Sequence, residues 1–281
     1  PYAHFSISDC YRYEQSGECM LLYRNRRFHM PDIHPYFKDI DDAWDWYPKL
    51  EEKLIEGFRL AKKKYINIAK IGSLKNWEEY KERVVDIAKR NNVEVLVDIK
   101  NDNEDRYWIV DIDYSFIDSL KQVREIGCIQ IDIGNAKRLG IEFVDRYGSR
   151  RFPVIIHSAI PGGIERYIYM LIDNMSEFPL EFKPIQLRLA PVGEKYIKQS
   201  LEVYNKYKHI IRIDIDDRSV GVSKKIKDAH HDYISNILLI GQKEVDDQSI
   251  IDSYIKNIID NLNPSVPFIK NNWEILMSRK I

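Results

Sequence analysis

Near residue 180 the periodicity of the chain changes character, and that switch constrains the fold more than any other feature of the sequence. Downstream of Pro184, apolar and amphipathic runs take turns: strand 185–190, helix 194–207, strand 210–215, helix 223–231, strand 234–240 and helix 248–262. Such alternation predicts a small three-layer α/β domain with a mainly parallel sheet. Upstream the order differs. Residues 1–37 alternate in two runs on either side of Gln15-Ser16-Gly17-Glu18, which predicts a hairpin with a glycine turn. Trp44, Tyr47, Leu50, Leu54, Phe58, Ala61 and Tyr65 recur every three to four residues, giving a helix from 40 to about 71 that opens on Asp41 and Asp42. A second helix is expected over 77–91, then strands at 93–99, 107–116, 128–133 and 152–157. Turns are expected at 101–105, Gly134-Asn135 and Tyr147-Gly148-Ser149, and a helix over 164–175 with Ile164, Tyr167, Ile168 and Leu171 inward. Strands joined by turns without crossover helices predict an antiparallel sheet. The expectation is therefore an α+β domain over 1–183, a linker from Glu177 to Pro184, and an α/β domain over 184–281.

The 43 basic and 44 acidic residues leave a net charge of -1, so nucleic-acid contacts would rest on local patches rather than a global field. Cys10, Cys19 and Cys128 show neither paired metal spacing nor a disulfide framework, which suits a reducing cytoplasm. No apolar run approaches the roughly 18 to 20 residues of a membrane span, and no signal-peptide core opens the chain, so no membrane partner is expected.

Residues 10 to 34 concentrate Arg12, Arg24, Arg26 and Arg27 with Glu14, Phe28, Asp32 and His34. Guanidinium forks hold phosphate oxygens, an aromatic ring covers a base and an imidazole binds metal, so the span could be most of a nucleotide site. By composition alone it could equally be a polar hairpin solvated by Arg-Glu pairs. The order of the residues goes further. Arg12-Tyr13-Glu14, Ser16-Gly17 and Arg24-Asn25-Arg26-Arg27-Phe28 resemble motif 2 of the class II aminoacyl-tRNA synthetases, and Met30-Pro31-Asp32-Ile33-His34 resembles the threonyl version of archaeal type. The resemblance implies Arg12 on the ATP α-phosphate, Glu14 on the adenine amino group, Phe28 stacked on adenine and Arg24 near the γ-phosphate.

Two further segments carry the same resemblance. In Arg124-Glu125-Ile126-Gly127-Cys128-Ile129-Gln130-Ile131-Asp132, residues 125, 130 and 132 read alone as the solvated face of a strand. The resemblance makes Glu125 a ligand of Mg2+ and places Gln130 and Cys128 in the threonine pocket, Cys128 where the family usually has Thr or Ser. His157-Ser158-Ala159-Ile160-Pro161-Gly162-Gly163-Ile164-Glu165-Arg166 resembles motif 3, with Arg166 over the adenine and the outer phosphates. The resemblance further implies a zinc ion on His34 and His157, with Asp32 accepting from the threonine hydroxyl. Three protein ligands leave a zinc position open for substrate, and the third, a Cys, would lie ahead of Pro1.

From Pro184 onward, Gln186-Leu187-Arg188-Leu189-Ala190-Pro191, Asp214-Ile215-Asp216-Asp217-Arg218 and Gly241-Gln242-Lys243-Glu244 resemble the anticodon-binding domain of the threonyl, prolyl, glycyl and histidyl enzymes. Asp217, Arg218 and Glu244 would meet anticodon bases, with Lys224 and Lys225 near phosphate. The strand that this domain normally adds after Glu244 is missing, and 263–281 has no counterpart to place. The whole resemblance implies ATP-dependent activation of threonine and its transfer to tRNA(Thr). It also implies a homodimer in the full enzyme and, since no editing domain is recognisable, a separate editing protein. Motif 1 would precede Pro1, which leaves the activity of this piece alone open. The rival reading is a non-catalytic tRNA-binding or regulatory paralogue that keeps the fold.

Overall fold

The computed structural model describes residues 2–101, 106–173, 178–270 and 273–279. The chain divides into two compact units, Pro1–Asn174 and Met175–Ile281.

The first unit is built on a seven-stranded sheet that runs, from edge to edge, through β1 (Tyr2–Tyr11), β2 (Arg27–Phe37), β9 (Val154–Ala159), β6 (Val123–Asp132), β5 (Trp108–Ile117), β3 (Ile66–Ile71) and β4 (Val95–Ile99). β1 (Tyr2–Tyr11) and β2 (Arg27–Phe37) pair antiparallel from Tyr2↔Tyr36 to Tyr11↔Arg27. The connection is therefore not a tight turn at residues 15–18 but the whole loop 12–26. The loop holds itself with its own polar groups: Glu14 Oε2 accepts from Arg24 Nε at 2.8 Å, the Glu14 carbonyl accepts from Arg26 Nε at 3.0 Å, and Gly17 turns at φ +95°. Those bonds compete with strand pairing, which is why the alternation seen in the sequence does not continue the ladder.

α1 (Ile40–Leu60) is capped by Asp39, whose carboxylate accepts the Asp42 amide at 2.9 Å. It stops well short of residue 71. Lys62 turns into the left-handed region at φ +55°, and β3 (Ile66–Ile71) follows with Asn67, Ala69 and Ile71 buried. The expected continuous helix is wrong here because a period of two takes over once the chain reaches a sheet position. α2 (Leu74–Asn91) then crosses over to β4 (Val95–Ile99), which pairs parallel with β3. The sheet is thus antiparallel except for this one edge pair, and a crossover helix is present after all. The polar turn expected at 101–105 lies mostly outside the described residues.

β5 (Trp108–Ile117), β6 (Val123–Asp132) and β9 (Val154–Ala159) complete the sheet, and the short helix α3 (Asn135–Leu139) starts where a simple turn was expected at Gly134-Asn135. The small hairpin β7 (Phe143–Val144) and β8 (Arg150–Arg151) turns through Gly148. α1 covers β2, β6 and β9 with Trp44, Tyr47, Leu54 and Phe58 buried. α4 (Ile164–Ile172) buries Met170 and Leu171, and Tyr167 donates its hydroxyl to the Gly57 carbonyl of α1 at 2.8 Å. Ile164 and Ile168, expected inward, are exposed, because the Tyr167 bond and the Met170-Leu171 contact set the rotation of the helix. Residues 174–175 of the expected helix lie outside the described residues.

The second unit carries three parallel strands in the order β11-β10-β12: β10 (Leu187–Pro191), β11 (Ile213–Ile215) and β12 (Ile237–Ile240). α5 (Ile197–Tyr207), α6 (Val222–His231), α7 (Gln242–Asp246) and α8 (Gln248–Asp260) complete it, and Leu187, Leu189, Ile213, Ile240 and Ile255 share one core. The tail, unplaced by sequence, returns to the free edge of β11: Ile215 bridges Leu276 in parallel, and its amide donates to the Ile275 carbonyl at 2.9 Å.

Candidate active site

Side chains on a strand alternate between its faces. Phe28, Met30, Asp32 and His34 on β2 therefore share one face, as do Cys128 and Gln130 on β6, and β9 lies hydrogen-bonded between these two strands with His157 opposite Gln130. All of them line one cavity of about 280 Å3. The loop 12–26 adds Arg12, Glu14 and Arg24, β6 adds Glu125, and the start of α4 adds Arg166. Eleven residues singled out by sequence in three separate segments thus face the same space.

One end of the cavity is cationic. The Arg12 guanidinium carbon lies 4.9 Å from the Phe28 ring centroid. Glu14 is buried and ion-paired to Arg24, whose own pKa that bond raises. Arg166 Nη1 lies 3.1 Å from Glu125 Oε1. Gly162, at φ +132°, brings the loop before α4 against β6: a Cβ there would stand 2.3 Å from the Ile126 carbonyl oxygen. Only glycine fits that approach.

The other end carries the histidines. The His34 and His157 rings meet edge to face with centroids 4.7 Å apart. Burial lowers the pKa of His34, with His157 adding to the shift and Asp32 opposing it, so its imidazole favours the neutral form that metals bind. Asp32 Oδ2 lies 3.7 Å from His34 Nε2. Burial, with the nearby carboxyl groups of Asp111, Glu125 and Asp113, pushes the Cys128 thiol well up and keeps it protonated, which is unsuited to ligation. Among the described residues no group of three His, Cys, Asp or Glu side chains is placed to hold a metal ion. The donor type and adjacency of the two histidines suit zinc, and a third ligand does not stand with them.

Several lining residues were not read from sequence. Tyr107 faces His157, with ring centroids 6.2 Å apart, and Tyr23 stands against Arg166. Asp132 is no solvated strand residue: it is fully buried and lies 2.8 Å from His157 Nε2. An acid three residues before a helix start and its glycine was the available signal, since its Oδ1 accepts the amides of Gly134 and Asn135.

In the second unit, the anticodon candidates all have internal partners. Asp217 accepts the amide of Ser278 at 2.8 Å, Arg218 pairs with Asp216 and Asp228, and Glu244 accepts the Gly241 amide at the start of α7. Lys224 is exposed and bonded to Asp228. Lys225, expected near phosphate, is buried instead. Its ammonium donates to the carbonyls of Pro191 and Asp216, and burial lowers its pKa.

The family model for the class II tRNA synthetase core domain (G, H, P, S and T) matches residues 1–175, and that for the anticodon-binding domain matches 186–251. A threonine–tRNA ligase of Nanoarchaeum equitans is 36% identical over 255 residues, covering 89% of this chain and 40% of that protein. One of Pyrobaculum islandicum is 38% identical over 254 residues, covering 87% and 41%. The chain thus spans about two fifths of the length of these curated relatives. Among solved structures, one described as the RNA binding domain of threonyl-tRNA synthetase from Cryptosporidium parvum aligns with a TM-score of 0.78 at 20% identity over 95% of this chain and 72% of that one. A threonyl-tRNA synthetase of Aeropyrum pernix aligns with a TM-score of 0.68 at 19% identity over 99% and 72%. Among the described residues no helix is long and apolar enough to cross a membrane.

Proposed function

The chain belongs to the class II tRNA synthetases of the G, H, P, S and T group, and on that premise we propose that it activates threonine with ATP and passes the threonyl group to tRNA(Thr). The observation that carries this is that one cavity gathers Arg12, Arg24 and Arg166 at one end and His34 and His157 at the other.

In the first step a carboxylate oxygen of threonine attacks the α-phosphorus. The new O–P bond forms as the bond to pyrophosphate breaks, and charge grows on the departing oxygens. Arg12 lies against that phosphorus, Arg24 and Arg166 against the outer phosphates, with Phe28 and Glu14 holding adenine. Fixed guanidinium groups stabilise the developing charge without a protein nucleophile. Glu125 would hold Mg2+ bound with ATP, an oxygen-ligand task that offsets phosphate charge. His34 and His157 would supply imidazoles to a zinc ion, whose chemistry is to bind the amine and hydroxyl of threonine and refuse valine. Asp32 accepts from the hydroxyl, and Gln130 and Cys128 close the pocket around the side chain.

For tRNA, Asp217, Arg218 and Glu244 are proposed at the anticodon, exchanging their internal partners for bases. Exposed Phe5, Ile7 and Tyr11 on the edge strand β1 support a homodimer. The three free cysteines support a reducing cytoplasm.

The test is threonine-dependent exchange of pyrophosphate into ATP, with serine and valine as controls and zinc supplied. Exchange with threonine at least tenfold above valine is expected. Folded protein that exchanges with none of them overturns the proposal.

A further inference from the structure

Tyr23 sits in the loop 12–26, and its side chain reaches out of that loop to β6 and α4. One side of its ring meets the Arg166 guanidinium, with Cζ 4.9 Å from the centroid, and Arg124 Cζ lies 5.0 Å from the same centroid. Its hydroxyl accepts the Glu125 amide at 3.0 Å, and its carbonyl accepts from Arg166 Nε at 3.3 Å. The two cations it meets are separately compensated. Arg124 donates to the buried carboxylate of Asp118 at 2.7 Å, and Arg166 pairs with Glu125.

We propose that Tyr23 is a positioning residue for the nucleotide phosphates: it holds the Arg166 guanidinium plane and the Glu125 segment of β6 together and orders them only when loop 12–26 is docked. The proposal rests on the reading of the cavity as an ATP site. The physical reason lies in how a ring face and a phosphate use a guanidinium differently. A ring attracts the cation through its face and takes up none of the in-plane N–H donors. Phosphate oxygens take those donors bidentately. Arg166 can therefore exchange Glu125 for phosphate without leaving Tyr23, and Glu125 is then released for a cation bound with the nucleotide. Arg12, Glu14 and Arg24 share the loop with Tyr23, so adenine and phosphate recognition become ordered in one event.

Two substitutions separate the parts. Tyr23→Phe keeps the ring and removes the acceptor for the Glu125 amide, whereas Tyr23→Leu removes the ring. The readouts are calorimetric ATP binding without amino acid, and KM values for ATP and threonine in pyrophosphate exchange, with thermal melts as a folding check. We expect Tyr23→Leu to weaken ATP binding and raise KM for ATP by about tenfold, leaving KM for threonine within about twofold. Tyr23→Phe should restore ATP binding to within about threefold of the parent. A leucine variant that binds ATP as the parent does, equal rises in both KM values, or a phenylalanine variant as weak as leucine would overturn the proposal. Calorimetry reads Tyr23 even if threonine supports no exchange, so failure of the threonine reading is told apart from failure of this one.

Discussion

Asp132 Oδ2 lies 2.8 Å from Nε2 of His157, and every other acceptor position on that carboxylate is filled: Oδ1 by the amides of Gly134 and Asn135, Oδ2 also by the Asn135 side chain. Burial works against this carboxylate, but the bonds from His157, Asn135 and Gly134 win and hold its pKa below the usual range. It remains an acceptor, so Nε2 of His157 carries the proton they share. Asp132→Asn replaces a fixed acceptor by a group that can also donate, and His157 loses its enforced tautomer. The expected outcome is a fall of about 10- to 100-fold in kcat/KM for threonine, with KM for ATP nearly unchanged, measured by exchange kinetics varying each substrate in turn.

Gly162→Ala probes the loop ahead of α4. The added Cβ would stand 2.3 Å from the Ile126 carbonyl oxygen, at a backbone φ of +132° that side chains rarely adopt. The clash is with the Ile126 backbone and not with the far end of a flexible side chain, so the main chain itself must shift to relieve it. A loss of about 3 kcal/mol or more is expected, read from urea unfolding of the variant. Gly163→Ala, where nothing stands closer than 3.9 Å, should cost far less.

How much of this was legible in sequence depends on how local each signal was. The Arg-x-Glu and Arg-x-Arg-x-Phe segments could be read because their chemistry lies within a few residues, although the loop joining them was taken for a turn. β3 was missed because Lys62, Lys63 and Lys64 extend an amphipathic pattern into residues whose strand character comes from β4 and β5 on either side. Tyr23 and Asp132 were missed for a different reason. The Tyr23 hydroxyl finds its donor 102 positions along the chain, and no spacing rule encodes such a contact. The parallel sheet of the second unit was legible from alternation, but Arg188, in a strand that reads as apolar, needed the structure to show its acids.

Beside the cavity, Lys70 Nζ lies 2.7 Å from the Asp113 carboxylate and 3.7 Å from that of Asp111. Two buried acids share one ammonium, with Glu125 near. Burial, with Glu125, pushes the Asp113 carboxyl up to about 7. Because folding raises this pKa, the native state holds the proton more tightly than the unfolded chain, between the usual value near 4 and about 7. Stability from this group therefore declines as pH rises through that window and levels off above it. The full effect is at most roughly 4 kcal/mol. Asp113→Asn should flatten the decline, seen by comparing urea midpoints at pH 5 and pH 8 in parent and variant; an unchanged difference would remove Asp113 as its source.

Arg188 on β10 is buried, and its guanidinium donates bidentately to the fully buried Asp214 of β11 and singly to Asp232 after α6. Burial works to lower its pKa, but the bonds to Asp214 and Asp232 outweigh that and raise it. Arg188→Met takes both guanidinium bonds from the fully buried Asp214 carboxylate, which is expected to cost about 3–5 kcal/mol. Asp232 is half exposed and can turn to water, so it adds little. Replacing both buried partners with apolar residues removes the charge along with its compensation. Arg188→Met with Asp214→Leu should therefore recover most of the loss, because desolvating a buried ion pair consumes much of what its attraction returns. Denaturant unfolding of the two variants decides it: a double variant as unstable as the single would mean that the pair contributes directional bonding that packing cannot replace.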